Sequence, residues 1–349
     1  MNPIITLPRA VVLTLSLAAL VGCGGDDSSS SGGAATPPTA ILPVSANDVT
    51  QNTDRLADLN LFRSQSGGTA LPNMSSHDAL IIAAVRHAGW QAIDNTGLNH
   101  GEPRSNALFT ADNFGDRIKA GNGGADITGN NGYSEGIAGN AGSPAITLLW
   151  NSVYHRLAMM RHQSTKVGYG DKDMARANYP TAGISAGNGL ATLDFASFST
   201  PAVTLAYWPG DGTTNVPKTF NSDSEGPDPV ADRNQVGCPI HIILPQATGT
   251  FSQVNITLVT GSTHIPLRVL AGVSSGFGAP FGAAGDVDPV TLAANSSLRP
   301  GELFIIPMPL AADYNGAGLA ANTSYTYNAT VTFNSVTYTI VNVTYTTGP

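Results

Sequence analysis

Seven histidines, 24 aspartates and glutamates, and two cysteines are the groups with which this 349-residue chain could do chemistry. Two cysteines exclude a disulfide scaffold and a cysteine-cluster zinc site. Two serines, Ser185 in 183–187 and Ser274 in 272–276, have the Gly-x-Ser-x-Gly spacing of a nucleophile elbow. That spacing activates a serine only where a strand turns sharply into a helix. Ser185 is followed by Asn188-Gly189 and strand-like residues and reads as a hairpin turn, while Ser274 lies in a glycine-rich loop. With 39 glycines in the chain, such matches arise from composition. His87 lies among alanines on a helical stretch and reads as a satisfied core or boundary histidine. His77 falls in a first helical turn, and His162, His241 and His264 fall at surface or strand positions.

Charged residues make up 11% of the chain and apolar residues 42%, so it can bury a core and is not a disordered polymer. A net charge of −8 with no concentrated basic face argues against a nucleic-acid partner. Residues 10–22 form an apolar stretch too short to span a bilayer, preceded by Arg9. The stretch ends in Leu20-Val21-Gly22-Cys23, which resembles the lipobox of bacterial lipoproteins. The resemblance implies a signal peptide over 1–22, cleavage before Cys23, and acylation of that cysteine. Residues 23–47 then serve as a flexible tether rich in Gly, Ser, Asp, Ala, Thr and Pro. Gly24, not Asp, after the cysteine goes with outer-membrane sorting in Gram-negative lipoproteins, which places the protein in the cell envelope, facing the periplasm or the exterior. Cys238 is then left alone as a small buried hydrophobe.

The first folded part, 48–206, opens with helices. Residues 54–65 carry Leu56, Leu59, Leu61 and Phe62 at amphipathic spacing. Ser75-Ser76-His77-Asp78 supplies capping and first-turn residues for a helix bearing Leu80, Ile81, Ala84, Val85 and Ala88 on one face. A short helix follows around 111–120. Ser143-Pro144 reads as N-cap and first helical position of one helix over the run AITLLWNSVYHRLAMM. Residues 166–170, 190–197 and 202–207 alternate like strands. Helices first and strands later predict an α+β layered domain.

Five blocks in this region resemble the bacterial SCP-like branch of the CAP superfamily of cysteine-rich secretory, antigen 5 and pathogenesis-related class 1 proteins. They are Leu59-Asn60 with Arg63; His87-Ala88 with Asn99-His100-Gly101; Phe114-Gly115-Asp116-Arg117; Ser134-Glu135-Gly136-Ile137-Ala138; and Trp150 through Arg156 with Thr165 through Gly170. The resemblance covers the first domain only and implies an α-β-α sandwich with a shallow cleft. Carried over by position, the cleft residues are His100, His155 and Glu135. The family's second glutamate falls on Val153, so one acid is missing. Two imidazoles and a carboxylate can hold a divalent ion such as zinc, support hydrolysis with Glu135 as general base, or form a buried polar network. Two histidines are fewer ligands than a catalytic zinc site usually holds.

Residues 207–235 are rich in Pro, Gly, Asp and Asn and read as a linker. Strand-like runs then recur over 236–349 at 240–244, 254–260, 265–270, 303–306, 325–333 and 336–345, predicting an all-β, Ig-like sandwich. The expected function is that of a membrane-anchored extracytoplasmic binding module, its cleft taking a divalent metal and a lipid or other envelope ligand. The alternatives are a metal-dependent peptidase or esterase and a structural envelope protein with a vestigial cleft.

Overall fold

The computed structural model describes residues 39–94, 98–103, 106–186, 189–200, 204–231, 233–245, 249–272, 291–295, 298–309 and 318–349. The signal-peptide and Cys23 expectations fall outside these residues, as does Ser274. No helix among the described residues is long and apolar enough to cross a membrane.

The first part contains α1 (Ala46–Ser64), β1 (Gly67–Gly68), β2 (Ser75–Ser76), α2 (Asp78–Asp94), α3 (Phe114–Gly121), β3 (Asn130–Ala138), α4 (Ser143–Trp150), α5 (Tyr154–Met160), β4 (Ser164–Asp171), α6 (Lys172–Asn178) and β5 (Ala191–Phe198). Four of its strands form a sheet in the order β2-β4-β5-β3, antiparallel except for β2 against β4. Helix α2 lies so close to β4 that a Cβ on Gly168 would stand 2.1 Å from the Leu80 carbonyl carbon. A Cβ on Gly170 would be as close to the Val85 nitrogen, so glycine at both positions lets the two backbones meet. On the opposite face, α1 is pinned to β4 by Asn52, which donates to the Tyr169 carbonyl and accepts from the Tyr169 N–H, each at 2.8 Å. Helices on both faces of a sheet make the α-β-α layering that was expected.

Local differences have identifiable causes. Helix α1 starts eight residues before the amphipathic run, at Ala46, because Ser45 and Asp48 close a capping box. Ser75 and Ser76 form β2 against Lys166 and Val167 and do not cap α2; the His77 ring nitrogen accepts from the Ala79 N–H instead. Ser143 is the first residue of α4, not its cap, and its hydroxyl donates to Asp58. The single helix expected over 145–160 is two, α4 and α5, because the Glu225 carboxylate accepts from the N–H groups of Val153 and Tyr154 at 2.9 Å each and starts a new helix there.

The rest of the chain is β-structure: β6 (Ala206–Trp208), β7 (Phe220–Asn221), β8 (Gln235–Val236), β9 (Ile240–Ile243), β10 (Phe251–Thr260), β11 (Thr263–His264), β12 (Leu267–Gly272), β13 (Thr291–Asn295), β14 (Glu302–Pro307), β15 (Ser324–Phe333) and β16 (Val336–Thr346). One sheet runs β1-β6-β9-β14-β12-β13 and the other β11-β10-β15-β16. Strand β15 alternates strictly, with Tyr325, Tyr327, Ala329, Val331 and Phe333 buried in one cluster with Ile240, Ile242, Val269, Leu303 and Ile305 of the facing sheet. The protein is thus an α+β layered domain joined to a β-sandwich.

The segment 207–235, expected to be too polar for a core, differs from that reading. Trp208, Val216, Phe220 and Val230 are buried, and β6 pairs with β9 inside the six-stranded sheet. Strand β1, from the first part, extends that same sheet. Trp208 packs edge-on against Trp150 of α4 with ring centroids 5.9 Å apart, and the Arg156 guanidinium lies 4.3 Å above the Trp208 ring. The apolar residues here are too irregularly spaced to show a period, so their burial leaves no sequence pattern.

Candidate functional site

Strand geometry decides which candidates can meet. In the β3–β5 ladder Glu135 stands directly opposite Asp194, and Asp194 stands opposite Gly168, the residue that α2 covers. Glu135 and Asp194 therefore point into the layer between the sheet and α2. His87 comes down from α2, Arg117 from α3, and His100 and Glu102 from the loop between those helices. Asn113 sets the start of α3, its side chain accepting from the Asp116 N–H.

Hydrogen bonds hold Glu135, His100, His87, Glu102 and Arg117 together. The Glu135 Oε2 atom accepts from Arg117 at 2.6 Å, and Oε1 lies 2.8 Å from His100 Nδ1. Arg117 also donates to the His100 carbonyl at 2.9 Å, fixing the loop that carries that histidine. His87 lies between Glu102 at 3.0 Å and the Asn99 carbonyl at 2.8 Å, which makes it the satisfied core histidine expected from its alanine-rich surroundings. Glu102 accepts in turn from the Thr110 N–H. The side chains of His87, Glu102, Arg117 and Glu135 are inaccessible to solvent, and only His100 reaches it, with 16% of its side chain exposed.

Electrostatics separate the two carboxyls. Burial alone would raise the Glu135 carboxyl, but Arg117, His87 and the His100 hydrogen bond outweigh it and hold Glu135 well below the usual carboxylate range. Asp194 goes the other way, pushed well above its ordinary value by burial first and by the Glu135 charge second. As an ionised group Asp194 would have neither oxygen hydrogen-bonded. Protonated, it can donate to Glu135 across the strand pair.

The structure brings together two of the three residues carried over from the family resemblance. His155 sits in α5, with Nδ1 3.1 Å from the Ser152 hydroxyl and 3.7 Å from Glu225. Its ring would meet a Cβ on Gly136 at 3.6 Å. Gly136 follows Glu135 in a continuous strand, and successive residues of a strand face opposite sides. His155 is therefore across the sheet from Glu135, and the expected trio does not converge. The zinc expectation meets the same obstacle: both Glu135 oxygens are committed to Arg117 and His100, and no three His, Cys, Asp or Glu side chains among the described residues could hold a metal ion. The residues present do not fit a divalent metal.

Sequence reasoning missed Asp194, Glu102 and the part played by Arg117. A signal for Arg117 was available, since it closes the Phe114-Gly115-Asp116-Arg117 block. Asp194 shows only as an acid in the middle of an apolar strand, Leu193-Asp194-Phe195, which demands a buried partner.

Neither a comparison with protein-family models nor one with curated proteins finds a match. Among solved structures, the chain is similar to an extracellular protein containing a SCP domain from Bacillus anthracis, at 21% identity and a TM-score of 0.32, over 45% of each chain. It is also similar to an outer surface protein from Borrelia burgdorferi, at 12% identity and a TM-score of 0.31, over 46% of this chain and 100% of that one. The chain spans less than half the length of the Bacillus protein.

Proposed function

We propose that this chain is a noncatalytic, extracytoplasmic protein of the cell envelope. Its α+β part is an SCP-like module that serves binding and architecture, and acylation of Cys23 holds it to a membrane. One observation carries the noncatalytic reading: Glu135, the only carboxylate that the family resemblance offers as a base, has both oxygens bound and its proton affinity strongly depressed. A general base works best with a pKa near the operating pH and with a lone pair aimed at the substrate. Glu135 meets neither requirement, and it has no metal-bound water to activate, since its neighbours do not form a metal site. The buried network instead fixes the loop carrying His100 against α3 and β3, giving a rigid surface on which a lipid or other envelope ligand can rest.

The test is a turnover panel of p-nitrophenyl esters and fluorogenic peptides, with the full chain and Glu135→Gln side by side. The expected result is no turnover above buffer for either protein, with or without added zinc. Turnover by the wild-type chain that disappears in Glu135→Gln would overturn the proposal in favour of a hydrolase.

A further inference from the structure

A cavity of about 190 Å³ lies where the α+β part meets the sandwich, away from the Glu135 network. Its walls carry Ser134 of β3, Arg161, Gln163 and Ser164 from the end of α5 into β4, Ser197 of β5, and Arg299 from the turn before β14. Among the described residues no aspartate or glutamate lines it, and two of the chain's 16 basic residues do, in a protein whose net charge is −8. Local charge here runs against the charge of the whole molecule.

The two arginines are not equivalent. Arg161 forks onto Glu302 through Nε at 2.6 Å and Nη2 at 2.7 Å. Glu302 also accepts from the Arg299 backbone N–H at 2.7 Å, so both its oxygens are engaged. The Arg299 guanidinium forms no ion pair among the described residues; its one contact there is a long one, 3.5 Å to the Gln163 amide oxygen. Partial burial and the neighbouring Arg161 charge lower its proton affinity, against the Glu302 carboxylate, which raises it. Two guanidiniums facing one carboxylate leave one positive charge uncompensated at the cavity wall. Around it stand the Ser134 hydroxyl and those of Ser164 and Ser197, which lie 3.5 Å from each other.

We propose that this cavity is an oxyanion site that takes the phosphate or carboxylate group of a small ligand, with the Arg299 guanidinium as its charged fork and the serine hydroxyls as neutral donors. A cavity of this size is smaller than the usual drug-sized pocket and admits one anionic group, not an extended molecule. Such a ligand touches β3 and β5 on one side and the turn before β14 on the other, so it bridges the two parts of the protein. The site shares no residue with the network around Glu135, and its failure would leave the noncatalytic reading intact.

Calorimetric titration of the full chain at constant ionic strength tests this, with inorganic phosphate in one arm and acetate in the other. Saturable binding is expected in at least one arm, and the arm that binds tells phosphate from carboxylate. The Arg299 guanidinium forms no ion pair among the described residues, so Arg299→Gln should fold as the wild type does, and it should weaken binding about tenfold or more, the usual loss for a charge-assisted hydrogen bond. Arg299→Lys, which keeps the charge, should lose less than Arg299→Gln. No saturable heat from either anion, or equal binding by wild type and Arg299→Gln, would overturn the proposal.

Discussion

Between the first sheet and α2 the protein buries Glu135, Asp194, His87, Glu102 and Arg117. In the sandwich, β15 buries Tyr325, Tyr327, Ala329, Val331 and Phe333, with threonine, asparagine and serine on its other face. The first layer is specified by partners: each charge has one geometry in which it is satisfied, and a near-isostere leaves something unpaired. The sandwich is specified by shape and area, and such cores accept volume-conserving changes at small cost. Buried charge is thus densest in the layer that places a particular loop, whereas β15 stacks through apolar side chains alone.

The largest effect should come from breaking that charge layer. Arg117→Met removes the guanidinium and leaves Glu135 and Glu102 buried with one counter-charge fewer. A loss of roughly 3–5 kcal/mol is expected from urea unfolding, the usual result of removing one partner of a buried ion pair. A loss under about 1 kcal/mol would erase the contrast between the regions. Ile305→Val, in the middle of the six-stranded sheet, should cost only about 1 kcal/mol by the same measurement. A penalty as large as that of Arg117→Met would show that the sandwich is no more tolerant than the charged layer.

The finest distinction is read as a slope. Asp194 has a raised proton affinity in the folded state and an ordinary one, near pKa 3.9, when unfolded. Folding therefore takes up a proton, and the stability tied to Asp194 is present below about pH 4 and lost as pH rises toward the folded value. Glu135 has the opposite sign: its contribution is present above the unfolded pKa of about 4.3 and lost as pH falls through its depressed folded value. Asp194→Asn removes the first term and keeps the second. Relative to wild type, Asp194→Asn should gain stability progressively from about pH 4 upward, measured by urea unfolding at several pH values. Parallel curves would mean that Asp194 is ionised in the native protein.

The sandwich was the more legible region because strand alternation is written locally. The runs at 254–260 and 325–333 became β10 and β15 within a few residues. Helix α3 was legible too, expected around 111–120 and found at Phe114–Gly121. The charged layer was legible only in part. His100 and Glu135 emerged together through family resemblance and do meet, at 2.8 Å. Asp194 and Glu102 did not emerge, because a cross-strand register and a loop return are long-range facts that no local period records. His155 was misplaced for a simpler reason: its position in the chain says nothing about which face of the sheet α5 covers. The break between α4 and α5 was invisible because its cause, Glu225, lies about seventy residues further along.

Trp208 and Glu225 both belong to the stretch that joins the two regions, and each is used in building the other side. Through β6 the connection supplies an inner strand to the sandwich, and through Glu225 it reaches back to begin a helix of the α+β part. A protease that nicked the backbone between them would yield two pieces still clasped together, and pulling them apart would ruin both, one losing a helix start and the other a strand from mid-sheet. The border between the regions is not a seam along which the protein can be divided into autonomous halves.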